Sequence, residues 1–158
     1  MLNQSTQVNV AYSTASTLRR RGHCRIRFHQ PRPLAGRRVE DGAVPFAYNL
    51  RETLATDYSV RTKLNVRDSD GTVVFTRGAA EGGSALTIDY ARSIGRPVLH
   101  IDLALVTLAT AAICVRAWCA EHEIRILNVA GSRDSQAPGI GATTHGVLMR
   151  ALAREPMS

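Results

Sequence analysis

From Gly71 onward the sequence repeats one pattern three times. A short apolar run is followed by a loop, and the loop by a stretch whose apolar residues fall three or four apart. Gly71–Thr76 (GTVVFT) is rich in β-branched residues and bounded by Asp70 and Gly78, which predicts a buried strand. Leu86, Tyr90 and Ile94 then recur every fourth residue, Ser84 stands where a cap would, and Gly95 with Pro97 ends the run, so a helix is expected over Ser84–Ile94. Val98–Asp102 (VLHID) is the second expected strand. Leu105, Leu108, Ala112, Val115 and Cys119 form the inward stripe of a second helix. Ile124–Val129 (IRILNV) is the third strand. Past the Ser132–Pro138 loop, Val147, Leu148, Ala151 and Leu152 mark a last helix with Pro138 near its first turn. Upstream, Asp57–Asp68 reads as helical, with Tyr58, Val60, Leu64 and Val66 available for burial. Strands that alternate with helices pair in parallel, because each helix carries the chain back to the same end of the sheet. The expected class is therefore α/β, a Rossmann-like three-layer fold with a mostly parallel sheet.

At 158 residues the chain suits one domain. No stretch approaches the roughly 20 consecutive apolar residues of a membrane span. Cys24, Cys114 and Cys119 form neither an even disulfide framework nor a zinc spacing, and residues 114 and 119 on one helix point in different directions. A reduced, cytoplasmic protein is the expectation.

The net charge of +7 is unevenly placed. Residues 1–39 hold eight arginines (19, 20, 21, 25, 27, 32, 37 and 38) and no acid. Of the 20 basic residues the other 12 face 13 acids, which leaves the rest of the chain at −1. A near-neutral domain, residues 34–153, thus follows a basic leader, residues 1–33, and precedes a short tail, residues 154–158. The leader has the Ser, Thr and Arg content of a transit peptide, lacks the apolar core of a secretory signal, and could serve as a basic nucleic-acid arm. A fourth reading is that the leader is translated out of frame.

In a parallel sheet, ligands bind at the carboxyl ends of the strands. After the first strand comes Arg77-Gly78-Ala79-Ala80-Glu81-Gly82-Gly83-Ser84, with Thr87 in the first turn of the helix that follows. Glycines let backbone amides approach an anion, and a helix N-terminus favours negative charge. Ser84 and Thr87 could add hydroxyl donors and Arg77 a bidentate clamp. The plainer alternative is a glycine turn with a cap. After the third strand, Gly131-Ser132-Arg133 offers a second loop of the same kind. Arg77, Gly82, Gly83, Ser84, Thr87, Asp102, Gly131 and Arg133 are accordingly the candidate cofactor-binding residues.

Other residues have weaker claims. Asp68 and Asp70 precede the first strand and read as turn residues. His100 lies inside a strand and reads as a satisfied core histidine, whereas Asp102 ends that strand at the ligand-binding edge. Arg37-Arg38-Val39-Glu40-Asp41-Gly42 reads as a solvated loop. No catalytic triad, HExxH zinc motif or Walker-type loop is present, and no metal site is expected.

Gly36-Arg37-Arg38 with Glu40-Asp41-Gly42, Leu50-Arg51-Glu52-Thr53, Arg61-Thr62, the run Asn65 to Thr72, Gly82 to Thr87, His100-Ile101-Asp102 and Leu127 to Arg133 together resemble the bacterial family of putative molybdenum carrier proteins. The resemblance runs from about Leu34 to Leu152. It implies a branch of the Rossmann-like superfamily that includes molybdenum cofactor carriers and cytokinin-activating phosphoribohydrolases. The implied ligand is a phosphate-bearing small molecule, either molybdenum cofactor or a nucleotide. No sequence-specific nucleic acid and no membrane is implied as a partner, and association of identical copies stays open. A nucleotide-processing enzyme of phosphoribohydrolase type is the alternative. An impaired family member with an incomplete site is a third reading.

Two departures bear on these alternatives. The phosphoribohydrolases carry Gly-Gly-x-Gly-Thr-x-x-Glu. Here Gly83 to Thr87 is one residue longer, and Asp89 stands two residues after Thr87 where that motif has a glutamate three after. Family members also open with a strand followed by Ser-Gly-Gly-Gln-Thr-Gly-Val-Asp, and residues 1–33 hold no such motif, so the first βα unit is in doubt. The codons available for Arg19–Pro31, read one base later, permit Ala-Ala-Glu-Ala-Ile-Ala-Gly-Phe-Gly-Phe-Thr-Ser, which resembles the family's first helix and second strand. That is the basis of the out-of-frame reading, and it also accounts for an arginine run without acids.

Overall fold

The computed structural model describes residues 7–10, 38–39, 42–43 and 58–153. The leader apart from Gln7–Val10, Cys24, the Leu50–Thr53 motif and the tail lie outside the described residues, and with them the transit-peptide and out-of-frame readings. The described elements are β1 (Gln7–Val10), β2 (Arg38–Val39), β3 (Gly42–Ala43), α1 (Tyr58–Arg67), β4 (Gly71–Thr76), α2 (Gly82–Ser93), β5 (Val98–Asp102), α3 (Leu108–Glu121), β6 (Ile126–Gly131) and α4 (Ile140–Leu152). Four strands form a parallel sheet in the order β1-β6-β4-β5. β2 and β3 make a separate antiparallel pair, Arg38 opposite Ala43 and Val39 opposite Gly42, so part of the stretch read as a solvated loop is paired strand. β1 lies within the leader, to which the periodicity assigned no strand. Its four residues alternate polar and β-branched, a signal too short to stand out, and they pair with Ile126–Val129.

The sheet separates two apolar layers. Alternate residues of β4 and β6 (Val73, Phe75, Leu127 and Val129) pack with Ala111, Val115 and Trp118 of α3 and Val147, Leu148 and Ala151 of α4. The opposite face is thinner, with Val74 and Ala130 meeting Ile88 of α2. Arg116 of α3 ties the two outer helices together, its Nε donating to the Ala151 carbonyl at 3.0 Å and a terminal nitrogen to the Arg150 carbonyl at 2.6 Å.

β4 and β5 have the expected bounds, and three other expectations change. α2 begins at Gly82 with Glu81 as its N-cap, and Ser84 is buried in the first turn instead of capping it. The buried face of α2 is Ser84, Thr87, Ile88 and Ala91, whereas Ile94 is exposed and Tyr90 lies beneath the Lys63 ammonium of α1. Ser84, Thr87 and Ala91 are small, which lets α2 sit close to the sheet around Ile88. α3 begins at Leu108, capped by the Thr107 hydroxyl, which accepts from the Thr110 amide at 3.1 Å, so Leu105 is outside the helix and 81% exposed. β6 begins two residues later than expected. The Glu123 amide reaches the Ala120 carbonyl and the Ile124 amide the Cys119 carbonyl, a paired closure of the end of α3 that takes up Ile124 before the strand starts.

Candidate functional site

The strand order fixes where a ligand pocket can form. From β4 the chain passes through α2 to β5 on one side, and from β5 it returns through α3 to β6 on the other side of β4. The loop after β4 enters α2 on one face of the sheet, and the loop after β6 enters α4 on the other. Between the carboxyl ends of neighbouring β4 and β6 the two connections depart to opposite faces, the switch point at which parallel sheets characteristically hold ligands in a crevice. Arg77 to Glu81 connect β4 to α2 at this point, and Ser132 to Gly139 connect β6 to α4.

Hydrogen bonds set the first loop. The Gly78 amide donates to Asp102 Oδ1 at 2.8 Å, and the Gly78 carbonyl accepts from the Thr76 hydroxyl at 2.6 Å. The Ala104 amide donates to the same Asp102 oxygen at 2.8 Å. These bonds, the one from Gly78 first, hold the Asp102 carboxyl below its ordinary range. Thr76 Oγ1 also lies 2.7 Å from His100 Nε2. Its one proton goes to Gly78, so the histidine nitrogen is the donor of that pair. His100 is exposed on β5, an edge strand of the sheet among the described residues, and is not the core histidine expected from its place in a strand.

Gly78, Gly82 and Gly139 all have positive φ (89°, 50° and 77°), and a Cβ on any of them would meet nothing within 4 Å among the described residues. Glycine backbone in the left-handed region thus stands at the end of β4, at the start of α2 and just ahead of α4. At the start of α2 the Ser84 and Ala85 amides turn back onto the Glu81 carbonyl, while those of Gly82 and Gly83 meet no acceptor among the described residues. The Thr87 hydroxyl, expected as a ligand donor, instead donates to the Gly83 carbonyl at 2.7 Å. Ser84 is buried beneath the loop.

The second loop is organised by a residue that sequence reasoning missed. Asp134 accepts from the Gly141 amide at 3.0 Å and the Gly139 amide at 3.3 Å, so the N-terminus of α4 already holds a carboxylate. An aspartate a few residues ahead of a helix start was the available signal. Arg77 reaches across the crevice and donates to the Pro138 carbonyl at 3.1 Å, joining the two loops. Gly131 ends β6 half-buried, and Arg133 is exposed just beyond it. Of the candidate residues, Arg77, Gly82, Gly83, Asp102, Gly131 and Arg133 share this edge of the sheet. Asp70, expected as a turn residue before its own strand, instead accepts from the Ile126 amide at 2.7 Å and the Arg125 amide at 3.0 Å where β6 begins, at the opposite edge. No helix among the described residues is long and apolar enough to cross a membrane.

Residues 31–152 match the family described as circularly permutated YpsA SLOG. A crystal structure of a putative molybdenum carrier protein from Syntrophus aciditrophicus is 40% identical in sequence, with a TM-score of 0.76 over 83% of this chain and 81% of that one. No curated protein matches.

Proposed function

This chain belongs to the circularly permutated YpsA SLOG family, and from that premise we propose that it is a cytoplasmic binding protein for a phosphate-bearing small molecule, molybdenum cofactor or a nucleotide, held in the crevice between β4 and β6. The observation that carries this reading is the pair of Gly82 and Gly83 amides that meet no acceptor among the described residues at the start of α2, beside Gly78 and Gly82, where an added Cβ would meet nothing within 4 Å among those residues. Backbone amides there suit an anion, and the helix dipole favours negative charge at the same point. Arg77 and Arg133 add positive charge from either side. Asp134 closes the end of α4 to a second anion, which leaves α2 as the helix that receives the phosphate. Molybdenum cofactor enters here as cargo. Its phosphate suits this cradle as a nucleotide phosphate does, and the name of the Syntrophus relative supports that choice.

Calorimetric titration of molybdenum cofactor and of AMP tests the reading. Arg133→Ala is expected to weaken binding roughly ten- to a hundredfold, the range for one charge-assisted hydrogen bond. Gly83→Val is expected to abolish binding while the circular dichroism spectrum stays native. Binding by Gly83→Val within about threefold of the wild type removes this loop from the site.

A further inference from the structure

We propose that two copies of this chain associate through the outer face of α3, their α3 helices crossing antiparallel about Ile113 and Cys114 in an isologous pair. A helix laid on a sheet ordinarily turns charged residues outward. On α3 the exposed residues Thr110, Ile113, Cys114, Ala117 and Ala120 are uncharged, and Glu121 follows them in the last turn. Steps of three and four link Thr110, Ile113 and Cys114, Ala117 and Glu121, so they form one seam along the helix. The other exposed charge on α3, Arg116, is drawn aside onto the Ala151 and Arg150 carbonyls of α4. Ile113 is 69% exposed, and Met149 of α4 is 48% exposed. A Cβ on Gly146 would lie 2.9 Å from Leu108 Cδ1, and Arg116 reaches Ala151, so Ile113 and Met149 fall between the same two contacts of the paired helices. The two large apolar side chains thus belong to one patch, and apolar, charge-poor surface of this kind forms the centre of pairings between identical chains.

Charge identifies the occupant as a second copy. α3 has no acid in its first turn and no basic residue in its last, where Glu121 stands instead. A carboxylate at the negative end of its own helix dipole is unfavourable, whereas the same charge at a helix N-terminus is favourable. In an antiparallel pair centred between Ile113 and Cys114, each Glu121 comes opposite Val106 and Thr107 of the other copy, at the start of its α3. The mismatch in each helix is thereby relieved by the other, twice over by symmetry. Between the two ends the seam offers a second copy no charge to repel it.

Sedimentation velocity of the full chain carrying Cys24→Ser should show a dimer at about 100 μM. A bismaleimide should then join Cys114 of one copy to Cys114 of the other, as read by peptide mass spectrometry, since Cys119 is buried. Ile113→Glu alters an exposed side chain, so it should keep the native circular dichroism spectrum while losing both dimer and crosslink. Glu121→Lys suits the end of its own helix but sets a positive charge over the start of the other copy's, and should weaken association roughly three- to thirtyfold. A monomer at about 100 μM, or a dimer that survives Ile113→Glu, overturns the proposal. A dimer without the Cys114 crosslink, or one that Glu121→Lys leaves as tight, overturns it too, because the helices then do not cross antiparallel here. Dilution should separate the copies and open Cys114 to alkylation; a monomer whose Cys114 resists the reagent would give this face to another segment of the chain.

Discussion

Gly78 is gripped on both sides of its peptide, by Asp102 at the amide and by Thr76 at the carbonyl, in a conformation that side chains other than glycine's resist. The grip depends on Asp102 remaining ionised. Because its carboxyl titrates below the ordinary aspartate value, the contribution to stability is present above about pH 4 and lost as the pH falls through the lower folded-state value. An NMR titration of the Gly78 amide should accordingly show its midpoint below about pH 3.9. A midpoint at or above that value would mean that the carboxylate does not hold the loop. The two described cysteines differ in the opposite sense. Cys119 is buried and its thiol is pushed up to about 11, whereas Cys114 on the same helix is exposed. Alkylation at pH 8 followed by peptide mass spectrometry should label Cys114 and spare Cys119 until the protein unfolds. Since the unfolded thiol ionises first, Cys119 should also cost stability as the pH rises from about 9 toward 11, by an amount on the order of 2 kcal/mol.

α2 and α3 end in the same way, and the comparison shows what sequence can and cannot say about an element. At the end of α2 the Gly95 amide meets the Arg92 carbonyl and the Arg96 amide the Ala91 carbonyl, with Gly95 at φ 67°. α3 repeats this closure with Glu123 at φ 50° in the glycine position. Gly95 was legible as a stop and Glu123 was not, because only the first carries the expected residue. Glu123→Gly should therefore raise stability by about 1 kcal/mol, measured by chemical denaturation. Gly71→Ala should lower it by about 1–3 kcal/mol, because the added Cβ would lie 2.6 Å from Ile124 Cδ1 and 2.8 Å from Trp118 Cη2. An unchanged midpoint in either variant would count against the corresponding contact. β4 was legible because both of its faces are buried, so its β-branched run is unbroken. The exposure of His100 was not legible, since nothing in a strand's own sequence tells an edge from a centre. Arg77, Gly82, Gly83, Asp102, Gly131 and Arg133 were legible as residues of one sheet edge because each ends or follows a strand that the apolar pattern marks. Thr76 and Asp134 act by holding backbone in place, in bonds that no motif announces.

At the scale of the molecule, charge and fold are separated along the chain. The six arginines from Arg19 to Arg32 stand apart from a domain that is close to neutral, so contact with nucleic acid should be weak, salt-sensitive and indifferent to sequence. Replacing those six with serine leaves Gln7–Val10 intact and should eliminate retention on immobilised DNA at low salt; retention that persists would place the contact in the folded domain. The strand order also has a consequence for how the chain acquires its structure. β4 stands between β5, made soon after it, and β6, made much later, with Gly71 opposite Leu127, 56 residues on. β1 waits longer still, since Gln7 pairs with Ile126. During synthesis β4 can join β5 early, but its other edge stays bare until β6 leaves the ribosome. Folding should therefore be slow for a chain of this size, with an assembled β4–α2–β5 unit preceding closure by β6. The nascent chain is most exposed to aggregation in that interval, when the central strand of the finished sheet is still an edge.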